Sequence, residues 1–330
     1  MYKKMIKYKI IIFSILAIGF FSIMGIIYGT FSSAPQKNSE LENFIVKRNS
    51  TQDQVINTLK TSGFIKNQQA FDILIDLKGG LSKIKPGGYK ISKSMNAWSI
   101  ANILTQKPYM EWVVIPEGLR KEEIAEILGQ ALDWNDANKK DWIETATDQK
   151  PEYFEGVYFP DTYLISVDEP PLQIAERLRA KFQEEFSPLA KEAIKQNIKW
   201  DTALKIASIV QRESAGKNDM PIIAGIIWNR LLQNMKLDID ATLQYARGNT
   251  GQGWWAPISI AEKQIDSPYN TYKYKGLPPH PICNPGLDAI NAVLSPSKTD
   301  CLYYLHDSSK VVHCAKTYEE HRQNIAKFLK

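Results

Sequence analysis

Residues 201–213 read DTALKIASIVQRE, and the way this stretch is read decides how the C-terminal part of the chain is built. It reads as one helix with Asp201 as the expected N-cap. At about 100° per residue, with Ile206 at zero, Val210 falls near +40° and Glu213 near −20°. On the same wheel Gln211 and Arg212 fall at roughly 140° and −120°, on the far side. Glu213 therefore projects from the apolar face while its polar neighbours do not. Loss of hydration there raises a carboxyl pKa, and a place in the last turn, at the negative end of the helix dipole, acts in the same direction. A carboxyl kept protonated near neutral pH suits a general acid for a glycosidic oxygen. The competing reading is a Glu that reaches solvent at the helix end or pairs with a nearby Arg. Ser214-Ala215-Gly216 ends the helix.

Outward from this helix, the chain from Trp200 onward interleaves helical segments with long loops rich in Pro, Gly, Asn and aromatic residues. Long loops on a helical scaffold are where binding and catalysis concentrate. Upstream, Pro171 to Asn197 is helical in pattern, with a break expected near Pro188. Glu152 to Ile165 is aromatic and strand-like. Glu111 to Ile115 reads as a strand ending at Pro116-Glu117-Gly118, before a helix carrying Ile124, Ile127 and Leu128. Earlier still, Phe44 to Val46 starts a strand, and Ser50 or Thr51 caps a helix with Val55, Ile56 and Leu59 that Gly63 stops. A second helix follows over Gln68 to Leu77, then a Pro86-Gly87-Gly88 turn, a strand at Tyr89 to Ile91 and a helix from about Met95. Strand–helix–helix–strand in this order resembles small LysM-like carbohydrate-binding modules; a small α+β spacer is the competing reading.

At the N-terminus no charged residue occurs from Ile10 to Gln36, and Ile10 to Tyr28 is densely apolar. A helix of that length is about 28 Å long, enough to span a bilayer core. Lys3, Lys4, Lys7 and Lys9 precede it and predict a cytoplasmic N-terminus with the remainder outside. A cleaved signal peptide fits less well, since its apolar run is shorter and Pro35 follows the Ser32-Ser33-Ala34 site. Lys plus Arg outnumber Asp plus Glu by 41 to 36, and those four lysines carry most of the excess. The near-neutral remainder argues against a nucleic-acid binder, which needs a basic face. Hydrophobic residues at 44% and charged residues at 23% exclude disordered and collagen-like classes. Cys283, Cys301 and Cys314 exclude a disulfide-dense scaffold; one bridge can form, and three pairings compete.

Residues 206–213 (IASIVQRE), 224–231 (AGIIWNRL), 235–245 (MKLDIDATLQY), 267–286 (SPYNTYKYKGLPPHPICNPG) and 311–321 (VVHCAKTYEEH) occur in that order. With Ile115-Pro-Glu-Gly118 and residues 155–163 (EGVYFPDTY), they resemble the motifs of the YceG-like endolytic murein transglycosylases, over about residues 44 to 328. The family usually has two glutamates two residues apart where this chain has Gln211 and Glu213; the catalytic one is the second and maps to Glu213. A second departure is His280-Pro281 after Gly276-Leu-Pro-Pro279.

The resemblance implies an α+β fold in five parts: a cytoplasmic tail 1–9, a transmembrane anchor 10–28, a linker 29–43, a LysM-like module 44–108 and a catalytic domain 109–330. It implies that Glu213 protonates the oxygen between N-acetylmuramic acid and N-acetylglucosamine, then takes the proton of the muramic C6 hydroxyl as that closes on C1. One carboxyl then serves twice, where hydrolysing glycosidases need two. Asn229 and Arg230 are expected at the substrate, Arg230 on a lactyl or stem-peptide carboxylate, with an ion pair inside the fold as the competing role. Asp240, read as a loop residue, would hold the C6 hydroxyl or an amide behind the site. Tyr269, Asn270, Thr271 and Tyr272 offer stacking and hydrogen-bonding groups to pyranose rings, or form a turn after Pro268. His313 matches the family's late histidine and would orient the surroundings of Glu213 or a substrate amide. Trp254 and Trp255 suit sugar stacking or core packing equally.

Histidine and cysteine spacings match no zinc pattern, and no phosphate loop or Gly-x-Ser-x-Gly occurs, so no metal or other cofactor is expected. The implied partners are peptidoglycan strands, the cytoplasmic membrane and wall-synthesis enzymes, with no nucleic acid. The competing functions are a muramidase using water, with Asp240 as second carboxylate, and an inactive wall-binding or division scaffold whose site Gln211 marks as degenerate.

Overall fold

The computed structural model describes residues 2–329, the side chains of residues 2–11 and Ile27 excepted. Met1 and the lysine side chains on which the orientation rests thus lie outside the described residues. Helix α1 (Tyr2–Ile27) runs on into a π-helical turn, Tyr28–Ser32. Ile12–Ser32 is long and apolar enough to cross a membrane. Side chains along it, such as Phe13, Leu16 and Phe21, are exposed.

The chain forms two compact units. The first takes the residues up to Trp112 together with Leu164–Val167. Its elements are β1 (Glu42–Val46), α2 (Gln52–Thr61), α3 (Gln68–Leu77), β2 (Gly87–Ile91) and α4 (Ala97–Leu104). β3 (Met110–Val114) follows, and β4, described with the second unit below, closes the sheet. Each helix starts on a side-chain cap. Thr51 and Gln54 form a reciprocal capping box, while Asn67 and Asn96 accept from the N–H groups of Ala70 and Ser99. Helices of ten residues are marginal alone. Here they bury Leu59, Phe71, Ile75, Ile100 and Leu104 against Phe44 and Tyr89 of the sheet, each large apolar side chain contributing roughly 1.5–3 kcal/mol. The sheet order is β1-β2-β3-β4, with β1 and β2 antiparallel and Phe44 opposite Tyr89. Phe31 packs against this core.

The second unit comprises Val113–Tyr163 and Asp168–Lys330. It begins with α5 (Lys121–Leu132) and α6 (Asp136–Asp141), the latter leading into a π-helical turn that buries Trp142. The expected strand over 152–165 shrinks to β4 (Thr162–Ser166). Upstream of it the backbone groups find other partners: the Tyr158 N–H donates to Asn284 Oδ1 at 2.8 Å, and Gly156 turns with φ +87° where a Cβ would strike Pro281. Helix α7 (Pro171–Lys195) runs through Pro188 unbroken. Phe182, Phe186 and Ala193 bury one face on both sides of that proline, so packing outweighs the one hydrogen bond it removes.

Helix α8 (Trp200–Glu213) starts one residue before the expected cap. Asp201 sits inside the first turn and pairs with Lys205 at 2.8 Å. α9 (Met220–Leu232), α10 (Asp240–Arg247) and α11 (Leu287–Leu294) follow, α11 packing on α7, α8 and α9. The chain ends in an antiparallel hairpin, β5 (Tyr303–His306) and β6 (Val312–Ala315), backed by α12 (Tyr318–Phe328). Cys301 and Cys314 are disulfide-bonded across its base; Cys283 is free and buried, its thiol donating to Ser208 O.

Candidate active site

α8 ends at Glu213 because Ser214 turns to an extended conformation. Ile206, Ile209 and Val210 are fully buried, which anchors the helix and leaves its last turn at the rim. Glu213 keeps part of its surface open, yet its carboxyl group is crowded. Desolvation pushes its pKa above the usual carboxylate range, and the nearby Asp240 carboxylate adds to the rise. Three contacts oppose it: the Tyr304 hydroxyl donating to Oε2 at 2.6 Å, the backbone N–H of Ala241, and the His306 ring. The result is a carboxyl biased towards the protonated form but with carboxylate-stabilising donors in place, as a group that must donate and then accept a proton requires.

Asp240 opens α10 rather than lying in a loop, and an acidic first turn suits the helix dipole. Its Oδ1 accepts from the Tyr272 hydroxyl at 2.6 Å, and burial together with that bond raises the Tyr272 pKa. Glu213, Asp240 and Tyr272 are thus brought together. Asn270 and Thr271 are buried and hold the loop. The Asn270 amide donates to Lys263 O and Ile265 O, and its Oδ1 accepts from the N–H groups of Tyr272 and Lys273. Thr271 Oγ1 accepts from the Ile239 N–H at 3.0 Å, which fixes the approach to Asp240. Tyr269 packs on Tyr245, ring centroids 4.9 Å apart.

Asn229 and Arg230 spend their donors on backbone. The Asn229 amide reaches Thr299 O and Cys301 O, and the Arg230 guanidinium reaches Leu302 O and Leu237 O. Both therefore hold the segment leading into β5. The late histidine is where the expectation and the geometry part. In the β5–β6 register Leu305 lies opposite His313, so His313 shares a face with Leu305 and Tyr303. That face packs on α12: His313 stacks on Phe328 and bonds Asp307 at 2.8 Å. The residues on the other face, Tyr304 and His306, are the ones that look towards Glu213. His306 Nε2 lies 2.6 Å from Asp219 Oδ2. Sequence reasoning missed Tyr304, His306 and Asp219; the alternation along 303–306 was the available signal.

Gln211 is on the side of α8 away from Glu213, but it is not idle surface. Its Oε1 accepts from the Gly286 N–H at 3.0 Å. Arg212 stacks on Trp255 at 3.9 Å, Arg120 lies 4.4 Å from Trp254, and the Trp255 indole donates to Glu123. Both tryptophans are part-buried. His280 packs on Phe154. A cavity of about 1020 Å³ lined by Tyr153, Arg179, Phe182 and Trp200 sits at the opposite end of α8, some ~20 Å along the helix from Glu213 at 1.5 Å per residue.

A second buried carboxyl lies in the same unit. Glu155 is 1% exposed and accepts from Asn284 Nδ2 (2.7 Å), the Lys121 N–H (3.1 Å) and the Tyr245 hydroxyl (3.3 Å). Burial, helped by the Glu122 carboxylate, pushes its pKa to about 8. With Asn284 also bonded to Leu119 O, it joins the start of α5, α10 and the loop before α11.

The sequence pattern of the YceG-like family matches residues 44–327. An endolytic murein transglycosylase of Streptococcus pneumoniae is 29% identical over 319 residues, covering 85% of this chain and 57% of that protein. The chain thus spans little more than half the length of that relative. An endolytic murein transglycosylase of Bacillus subtilis is 29% identical over 309 residues, covering 87% of this chain and 84% of its own. The crystal structure of a YceG-like protein from Listeria monocytogenes matches with a TM-score of 0.60 at 27% identity, covering 86% of this chain and 98% of that one. With the family pattern matched over most of its length, the chain belongs to the YceG-like family.

Proposed function

We propose that this chain is a lytic transglycosylase that cuts within peptidoglycan strands at the bond between N-acetylmuramic acid and N-acetylglucosamine. The observation that carries the reading is the crowded, partly open Glu213 carboxyl at the end of α8, raised in pKa and bonded to Tyr304. The relatives named as endolytic murein transglycosylases support the substrate. Protonated Glu213 gives its proton to the bridging oxygen as the muramic C1–O bond breaks, and the N-acetylglucosamine end leaves with a hydroxyl. The muramic C6 oxygen then bonds to C1, and its proton returns to Glu213. No water is consumed, the strand gains a 1,6-anhydro end, and the glutamate is reset. Asp240, which accepts from Tyr272 on one oxygen, would receive the C6 hydroxyl; Tyr269 is the stacking candidate for a pyranose ring.

In this reading the apolar Ile12–Ser32 helix anchors the chain with its body outside the cytoplasm. The first unit serves as a LysM-like glycan holder, and the cut limits strand length beside the wall-synthesis enzymes. A signal sequence would pass the same length and composition test; whether the mature chain keeps residues 1–32 and stays in the membrane fraction separates the two. The enzymatic reading is tested by mass spectrometry of purified wall treated with the full chain. Anhydro-muramic ends are the expected product. Reducing ends would assign a muramidase, and binding without cleavage a scaffold.

A further inference from the structure

Tyr304 and His306 lie two residues apart on β5 and so share the face turned to Glu213. Tyr304 touches the glutamate directly. His306 is held from the other side by Asp219, Nε2 to Oδ2 at 2.6 Å. The same Asp219 carboxylate accepts the N–H groups of Ala215 (2.9 Å) and Gly216 (3.0 Å), which follow the end of α8 almost at once. One buried acid therefore ties the segment leaving Glu213 to the strand that delivers Tyr304, with a histidine as the link.

We propose that Asp219 and His306 form a positioning pair: Asp219 holds the His306 ring on the face turned to Glu213, so that the carboxylate left after proton donation is steadied there. The proposal rests on the reading of Glu213 as acid and then base. The groups around the glutamate show what the ring has to offset. From α10 Glu213 faces the Asp240 carboxylate and the Ala241 N–H; from the loop between α10 and α11 it faces Tyr272, and from β5 Tyr304 and His306. A second carboxylate so near penalises ionisation of Glu213, and His306 opposes that penalty. His306 itself faces Asp219 and, edge-on at 6.2 Å between centroids, Tyr304. Arg230 of α9 acts on Tyr304, while its Nε and Nη1 groups donate to the carbonyls of Leu302 and Leu237.

The test is the pH profile of anhydro-end formation by the full chain and three variants. His306→Gln removes the ring. Asp219→Asn removes the carboxylate that holds it while leaving a carbonyl for the Gly216 N–H. In both, Glu213 loses the ring's opposing effect and holds its proton to higher pH, so the alkaline limb of kcat/KM moves up by about one unit, and kcat falls by about tenfold. His306→Lys puts a fixed positive charge at the same position, and the limb returns towards its original position. Melting curves of the variants check that the fold survives. A limb that stays put in His306→Gln overturns the proposal, whether or not the rate falls, because a purely structural link would lower activity at every pH alike. That outcome leaves the lytic reading intact if Glu213→Gln is inactive. Absence of anhydro ends from the unaltered chain overturns the lytic reading instead.

Discussion

The Tyr304 hydroxyl donates to Glu213 Oε2 at 2.6 Å, joining the last turn of α8 to a four-residue strand 91 positions further on. The bond selects the carboxylate over the acid, because the hydroxyl has a proton to give and a carboxylate oxygen receives it best.

Replacing Glu213 by Gln keeps size and an oxygen for Tyr304, so the fold should be little changed. The amide can neither give the proton nor take it back. General acid–base action is typically worth 10²–10⁴-fold, and in the proposed mechanism one group performs both halves, so a fall of at least about 10³-fold is expected with glycan binding retained. Near-normal anhydro-end yield from Glu213→Gln would sink the mechanism.

Tyr304→Phe removes a donor that lowers the Glu213 pKa, so that pKa rises further. Hydrogen bonds to charged groups are worth about 1.5–3 kcal/mol, which sets the expected loss at roughly 10- to 150-fold. Single-turnover rates should show the loss in the chemical step, with strand affinity unchanged; a loss confined to affinity would contradict it.

Gln211→Ala should leave activity within about tenfold, since the side chain points away from Glu213. It does not behave as open surface, however, because the Gly286 N–H loses its acceptor. A cost of about 1 kcal/mol in stability is expected, and denaturant titration would read it; abolished activity would mean that the helix phase assigned here is mistaken.

Glu155 provides a pH signature of stability. Its folded pKa of about 8 lies above the ordinary 4.5, so the folded state binds that proton more tightly than the unfolded one. Its contribution is complete below about 4.5 and is lost progressively as pH climbs through about 8. The unfolding temperature should therefore fall between pH 5 and 8, and fall less steeply in Glu155→Gln. Equal slopes in the two proteins would contradict the assignment.

Reduction of Cys301–Cys314, or a double Ser replacement, frees the base of the hairpin that presents Tyr304. A closed loop of this size is worth about 3 kcal/mol in the chain-entropy account. Activity should drop under reductant while the far-ultraviolet signal of the helices persists; unchanged activity in the reduced chain would show that β5 needs no staple.

What the sequence made legible follows its periodicities. The first helix of the first unit was readable from its cap and its breaker, because Thr51 and Gly63 act locally. Glu213 was readable because α8 is long enough for a 3.6-residue pattern to place it. Asp219, Tyr304 and His306 were not, since their roles depend on contacts made across the chain by short elements. Asn229 and Arg230 looked like substrate groups for the same reason: nothing local announces that their donors end on the carbonyls of residues 299, 301, 302 and 237. The pairing of Cys301 with Cys314, one of three arithmetically allowed, likewise needed the hairpin. The proline in α7 shows the opposite error, a strong local signal overruled by burial on both sides.

Strands β3 and β4 each cross from one compact unit to the other partway along their length, and the first unit's sheet is closed by residues 164–167. A ribosome makes the chain from its N-terminus, so most of the first unit exists before its edge strand does, and it stays unfinished while residues 113–163 are added. Neither unit is a cassette that evolution or cloning can move with a single cut. A graft that ends at Trp112 carries away a sheet with an unclosed edge, and a faithful transplant has to take the intervening chain with it.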